Sequence, residues 1–223
     1  RLSELVQRLK AENRNVYLEI QGHTDSSGDT HANEMLGQAR AEAVRRFLSD
    51  QGIAKVDRLQ QDESNAACSA ADASGKPLAP ARAQAIEAAN LKTVKWPQDG
   101  KLLGDWKEGE KIAQNGRGMT WSDKAGSANG GNCYNCHQIS KEEISFGTLG
   151  PSLYNYGKIR GIKDPSSPES RAIVEYTWGK IWNAKAYNAC SGMPRFGHSG
   201  ILTEAQTRDL VALLVDPASP VNK

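Results

Sequence analysis

The stretch Gly130-Gly131-Asn132-Cys133-Tyr134-Asn135-Cys136-His137-Gln138 decides how the larger part of this chain folds. Its two cysteines, three positions apart, put their sulfurs on one helical turn, and a histidine follows the second directly. C-x-x-C-H is the attachment signature of c-type haem: two thiols form thioethers with the two vinyl groups, and the adjoining imidazole reaches the iron as axial ligand. A redox dithiol needs no histidine beside it. A zinc site needs two more ligands, which only a convergence of Cys190 and His198 would supply. The expectation is one covalent haem c, attached at Cys133 and Cys136 and ligated by His137.

A second axial ligand has four candidates outside the motif: Met119, Met193, His198 and Cys190. Met193 is favoured, because Cys190-Ser-Gly-Met-Pro-Arg-Phe-Gly197 reads as a stiff extended loop in which the proline restrains the residue before it. Met119 lies close before the motif and reads as packing. Methionine opposite histidine raises the reduction potential and closes the iron to outside ligands, which suits electron transfer over oxygen chemistry. About a dozen residues after the motif stands Leu149-Gly-Pro-Ser-Leu153. The Pro151 carbonyl can accept the His137 Nδ1 proton and fix the ring, the alternative being an ordinary Gly-Pro turn.

Around this centre the chain reads as helices joined by Gly/Pro loops, from Gly109 to Asn115, from Pro168 to about Ala184, and from Thr203 onward. Thr203-Glu-Ala-Gln206 is a capping-box pattern, and Leu210, Leu213 and Leu214 give the last helix an apolar face. All five tryptophans lie in this part, and no alternating β-branched run argues for a sheet. From Leu91 onward 17 Lys/Arg stand against 13 Asp/Glu, a mildly cationic surface.

The first 61 residues have a different texture. Leu2, Leu5, Val6 and Leu9 recur with helical spacing, Val16, Leu18 and Ile20 alternate as in a half-buried strand, and a helix is expected from Asn33 to Asp50. Residues 62–91 turn to Ala, Ser, Asp, Pro and Lys, and read as a linker carrying at most one helix, Pro80 to Ala89. The expected fold is therefore two-part: a small α/β segment (1–61), the linker (62–91), and an all-α haem domain (92–223).

Composition sets outer limits on function. The 223 residues are 38% hydrophobic and 24% charged, within the range of globular chains. With 28 Lys/Arg against 26 Asp/Glu the net charge is +2, too balanced for a nucleic-acid binder working by bulk charge. No run approaches the ~20 apolar residues of a membrane span. There is no internal repeat.

Two families resemble parts of this sequence. GEKIAQNGRG, GGNCYNCHQI, GTLGPSLYNYGKIRG, SGMPRFGHSGILTEAQ and the tail LLVDPASPVNK, in that order, resemble SoxX, the monohaem class I cytochrome c subunit of the SoxAX complexes. The GMPRFG loop and the DPxSPV tail make the likeness specific, since any class I cytochrome shares the haem motif and the proline. The resemblance implies a periplasmic electron acceptor with Cys133 and Cys136 as attachment and His137 and Met193 as axial ligands. Its partner would be a SoxA-like dihaem or monohaem cytochrome subunit, forming a heterodimeric L-cysteine S-thiosulfotransferase that couples thiosulfate to a cysteine of a SoxYZ-like carrier protein. This chain alone would be the electron-transfer component. A general periplasmic cytochrome c shuttle and an envelope-anchored structural module are the alternatives.

Leu18-Glu-Ile-Gln-Gly-His-Thr-Asp25, then Asn33 and Leu36-Gly-Gln-Ala-Arg40, resembles the OmpA-like peptidoglycan-binding domain. An Asp at a strand end and an Arg on the next helix suit a zwitterionic amino acid, Asp25 taking an ammonium and Arg40 forking a carboxylate. The resemblance implies peptidoglycan contacts at Asp25, Asn33 and Arg40. A solvated Asp–Arg pair is the bland alternative, and the family's closing strands and GR-x-x-NRR segment are missing after Arg58. The remaining cysteines, Cys68 and Cys190, are an even pair expected to form a disulfide in an oxidising compartment, or else to stay as free or intermolecular thiols.

Overall fold

The computed structural model describes residues 29–49, 60–118 and 127–223, together with Glu4 and Gln7. These fall into two compact units, with the break near Gln60. In the first, helix α1 runs Thr30–Ser49, three residues earlier than its apolar spacing predicts. Of the expected apolar face, Leu36 is 44% exposed, and Arg45 pairs with Glu42 one turn away at 2.6 Å. Of the expected first helix only Glu4 and Gln7 are described, both helical, while the expected strand and Asp25 lie outside the described residues.

The described residues of the second unit form helices joined by loops, with no strand among them. The segment expected to be a linker is instead two helices, α2 (Glu63–Ser74) and α3 (Pro80–Leu91). Local signals explain both. Asp62 caps α2, its carboxylate accepting the Asn65 N–H at 2.8 Å, and Gly75 ends it at φ +64°, where a side chain would be strained. Pro80 opens α3, at a position whose N–H has no helical partner.

The segment's low apolar content pointed to a linker, but a few polar groups dock it. Ile86 and Asn90 are buried. Asn90 donates to Ser64 Oγ at 2.9 Å, and the fully buried Asn183 donates to both Asn90 Oδ1 and Thr93 Oγ1 at 2.9 Å. A disulfide between Cys68 and Cys190 adds a covalent tie. Its cysteines are 122 positions apart, a closure worth on the order of 4–5 kcal/mol by chain entropy.

Next come α4 (Trp106–Gln114), α5 (Tyr156–Ile159), α6 (Arg171–Trp182) and α7 (Glu204–Val215). Helix α4 starts three residues before the expected Gly109, capped by Asp105, whose carboxylate accepts the Lys107 N–H at 2.8 Å. Thr203 and Gln206 close the capping box on α7, each side chain accepting the other's backbone N–H. The core gathers Trp178, Trp182, Leu210, Val211, Leu213 and Val215. Trp178 and Trp182 stack with ring centroids 5.5 Å apart, and the Trp178 indole donates to the Lys95 carbonyl at 3.0 Å.

Helices α4 and α7 pack against each other closely enough to require glycine. A Cβ on Gly109 would stand 2.2 Å from the Asp209 carbonyl oxygen, and one on Gly104 would be 2.8 Å from the Asp209 nitrogen. Backbone cannot yield as a flexible side chain does. Gly109→Ala is expected to destabilise the folded protein by about 1–3 kcal/mol, read as a lower midpoint in guanidinium unfolding. An unchanged midpoint would mean that the two helices separate without cost.

The C-terminal tail is pinned by one buried amide. Asn222 Oδ1 accepts the N–H groups of Gly157 (2.8 Å) and Lys158 (3.2 Å), and its Nδ2 donates to the carbonyls of Leu214 (3.0 Å) and Asp216 (2.9 Å). The tail thus fastens the start of α5 to the end of α7.

Candidate haem-attachment site

Cys133 opens a single 3-10 turn, Cys133–Asn135, entered from Asn132 in the left-handed region at φ 48°. Approach to this turn is tight on its upstream side. A Cβ on Gly130 would lie 1.8 Å from the Asn115 carbonyl oxygen, and one on Gly131 would lie 2.9 Å from Cys133 Sγ. Gly131 also donates its N–H to Ile112 O at 2.9 Å, joining the turn to α4. Cys133 and Cys136 are both half-buried free thiols. Burial pushes the Cys133 thiol up to about 12, so it is protonated and a poor nucleophile toward solvent.

Residues 147–153 run back along the turn and fix the histidine. Gly147, Gly150 and Leu153 donate their N–H groups to the carbonyls of Tyr134 (2.8 Å), Cys136 (2.8 Å) and Gln138 (2.7 Å). This strut brings the Pro151 carbonyl 2.7 Å from His137 Nδ1. A carbonyl only accepts, so Nδ1 donates its N–H there, which leaves Nε2 as the ring nitrogen for a metal. Gly150 lies flat on the imidazole, where a Cβ would come within 2.1 Å of the ring.

Of the candidates for a second ligand, Met193 is half-buried and packs against the core, its N–H donating to Ser191 Oγ at 3.2 Å. Cys190 is taken by the disulfide, so it can serve neither as axial ligand nor as a zinc ligand with Cys133 and Cys136. His198 is turned to α6 and Thr93: its N–H donates to Trp182 O at 3.0 Å, and Nδ1 meets Thr93 Oγ1 at 3.1 Å. Burial first, then the Arg195 charge, hold its imidazole toward the neutral form against the pull of Asp62. Met119 lies outside the described residues.

This donor set fits a haem c: two unpaired thiols on one turn, an imidazole with its outer nitrogen engaged, and a thioether on a restrained loop. A further fit is Trp182, whose Nε1–H is buried without an acceptor among the described residues. Such an orphan donor is costly unless a group such as a carboxylate satisfies it. Sequence reading missed Trp182, Asn183 and Gly150 as site-shaping residues. Only Gly150 had a local signal, its place before Pro151.

In the N-terminal unit, Asn33 and Arg40 stand two turns apart on α1, which places them on one side of it. No helix among the described residues is long and apolar enough to cross a membrane.

Comparison with known proteins divides the chain the same way. Residues 107–216 match the cytochrome c family, and residues 1–67 match the OmpA family. A protein of Aquifex aeolicus (strain VF5), described as an uncharacterized lipoprotein, is 41% identical over 133 residues. That match covers 59% of this chain and 59% of the relative, so the chain spans less than two thirds of the relative's length. The chain thus carries an OmpA domain at its N-terminus and a cytochrome c domain at its C-terminus.

Proposed function

We propose that this chain is a one-electron carrier of the bacterial envelope, working in the periplasm as the SoxX-like subunit that accepts electrons from a SoxA-like cytochrome. The observation that carries the haem reading is the His137 imidazole, held through Nδ1 by Pro151 with two free thiols on the preceding turn. Cys133 and Cys136 would attach the haem, and His137 and Met193 would hold its iron. When bound, haem supplies a one-electron couple. The chain's part is to hold the imidazole in one tautomer, exclude water with the α6–α7 core, and present a docking face.

The SoxX reading rests on the likeness of the GMPRFG loop and the DPxSPV tail, and the buried Asn222 gives that tail a structural task. Ile144, just before the strut that follows the haem motif, and Leu149, within it, are 100% and 90% exposed and offer apolar surface for a partner to cover. The cationic excess beyond Leu91 would steer an acidic partner. Gel filtration of the protein purified from its native source tests this reading: the expected result is a stable complex with a second cytochrome, and a lone monomer favours a general shuttle.

The OmpA domain and the lipoprotein relative favour an envelope attachment beside electron transfer. If Asp25 and Arg40 hold the ammonium and carboxylate of diaminopimelate, Asp25→Asn with Arg40→Ala abolishes sedimentation with peptidoglycan and leaves the haem spectrum intact. Wild type that stays in the supernatant removes the anchoring role.

A further inference from the structure

We infer that the Cys68–Cys190 disulfide is a thiol-exchange site, opened by attack of an external thiolate on Cys190 with Cys68 as the leaving group. The two sulfurs differ in access. Cys190 is exposed at a turn, its N–H donating to Asn188 Oδ1 at 3.2 Å, whereas Cys68 is half-buried on α2. The bond borders a cavity of about 520 Å³ between α2, α3 and the Asn188–Cys190 turn, lined also by Lys76, Pro77 and Glu87. A small thiol can enter there.

The two sulfurs also differ electrostatically. Lys185 is a buried residue, 5% exposed, whose Nζ lies 4.0 Å from Cys68 Sγ and donates to the Ala189 carbonyl at 3.0 Å. Among the described residues it has no carboxylate within ion-pair distance. Burial first, then the Arg195 charge, work against its ammonium form, and Asp62, which favours that form, is itself paired with Arg195 at 2.5 Å. A buried ammonium without a counter-ion is costly. A thiolate at Cys68 is the counter-ion that this position lacks, and a leaving thiol of lowered pKa departs faster.

The step balances without a metal. A thiolate RS⁻ forms a bond to Cys190 Sγ, the Cys68–Cys190 bond breaks, and its electron pair departs on Cys68 Sγ beside Lys185. A second thiol then attacks the mixed disulfide, releasing RSSR and the Cys190 thiolate, which takes a proton from solvent. Two thiols are oxidised and one disulfide is reduced. The chemistry asks for a thiol reductant such as a glutathione-like molecule or a thioredoxin-like dithiol. It is independent of the haem reading, because neither cysteine belongs to the attachment turn.

The test uses the full-length, haem-loaded protein with excess glutathione under anaerobic conditions, quenched in acid at intervals and mapped by peptide mass after alkylation. The expected adduct is glutathione on Cys190 with Cys68 free. Lys185→Gln, which keeps a donor for the Ala189 carbonyl but removes the charge, should slow opening roughly tenfold, while Lys185→Arg should stay close to wild type. A second measurement covers misfolding of these variants: in Cys190→Ser, the iodoacetamide pH profile of Cys68 should fall below that of an ordinary thiol. Glutathione on Cys68, a bond that stays closed in folded protein, a Lys185→Gln rate equal to wild type, or an unshifted Cys68 profile would each overturn the assignment.

Discussion

Replacing Met193 by alanine is expected to leave the haem attached to the chain while its reduction potential falls and the methionine-to-iron charge-transfer band at the red end of the ferric spectrum disappears. Attachment survives because nothing at Cys133 and Cys136 depends on Met193. The strut of three backbone hydrogen bonds and the 2.7 Å contact between His137 and Pro151 are made by residues 147–153 and do not involve Met193. The potential falls because a thioether opposite histidine favours the reduced iron, and its loss leaves that position to water or to nothing. A half-buried methionine packed on the core also contributes to folding, so a cost of about 2 kcal/mol is expected beside the spectral change. The spectrum and a potentiometric titration decide. If the band persists, the thioether on the iron is not Met193, and Met119 becomes the candidate.

The haem turn was legible because its chemistry is written in adjacent residues: Cys133, Cys136 and His137 carry the attachment pattern in five positions, and Pro151 follows at a readable interval. The last helix was legible for a similar reason, since Thr203 and Gln206 state its capping box in four residues. Residues 62–91 were misread as a linker because what orders them is distant in sequence. Asn90 meets Asn183 93 positions away, and Cys68 meets Cys190 122 positions away. Ala-rich helices show little apolar periodicity, so their docking rests on a few polar contacts that no local pattern announces. Lys185 is the sharpest case. It sits in Asn183-Ala-Lys-Ala-Tyr187, where lysine ordinarily reads as solvated surface, yet the fold buries it against Cys68. Trp182 is similar: a tryptophan on α6 is read as core, and only the structure shows that its Nε1–H has no acceptor among the described residues.

The isolated chain, haem intact, is expected not to turn over thiosulfate against a protein cysteine, and to take up electrons from that reaction only when a SoxA-like partner is present. Coupling needs a thiolate or persulfide at the substrate site and an oxidant that removes two electrons. On the proposed attachment Cys133 and Cys136 would be taken by the haem, and Cys68 and Cys190 are bonded to each other. Thiosulfate attacking that disulfide at Cys190 would consume the bond once, reduce no haem, and stop. With His137 and Met193 as the proposed ligands, the iron would have no open position for a sulfur ligand. Electron acceptance has looser demands: a haem edge within tunnelling reach of its donor, and a surface that lets the donor dock, for which the exposed Ile144 and Leu149 and the cationic excess beyond Leu91 are the proposed face. Following haem reduction by thiosulfate and carrier protein, with and without the partner, separates the roles. The expected trace is flat for the chain alone and rises when the partner is added. Sustained turnover by the chain alone would overturn the reading, and a Cys190→Ser variant would then show whether that sulfur was the nucleophile.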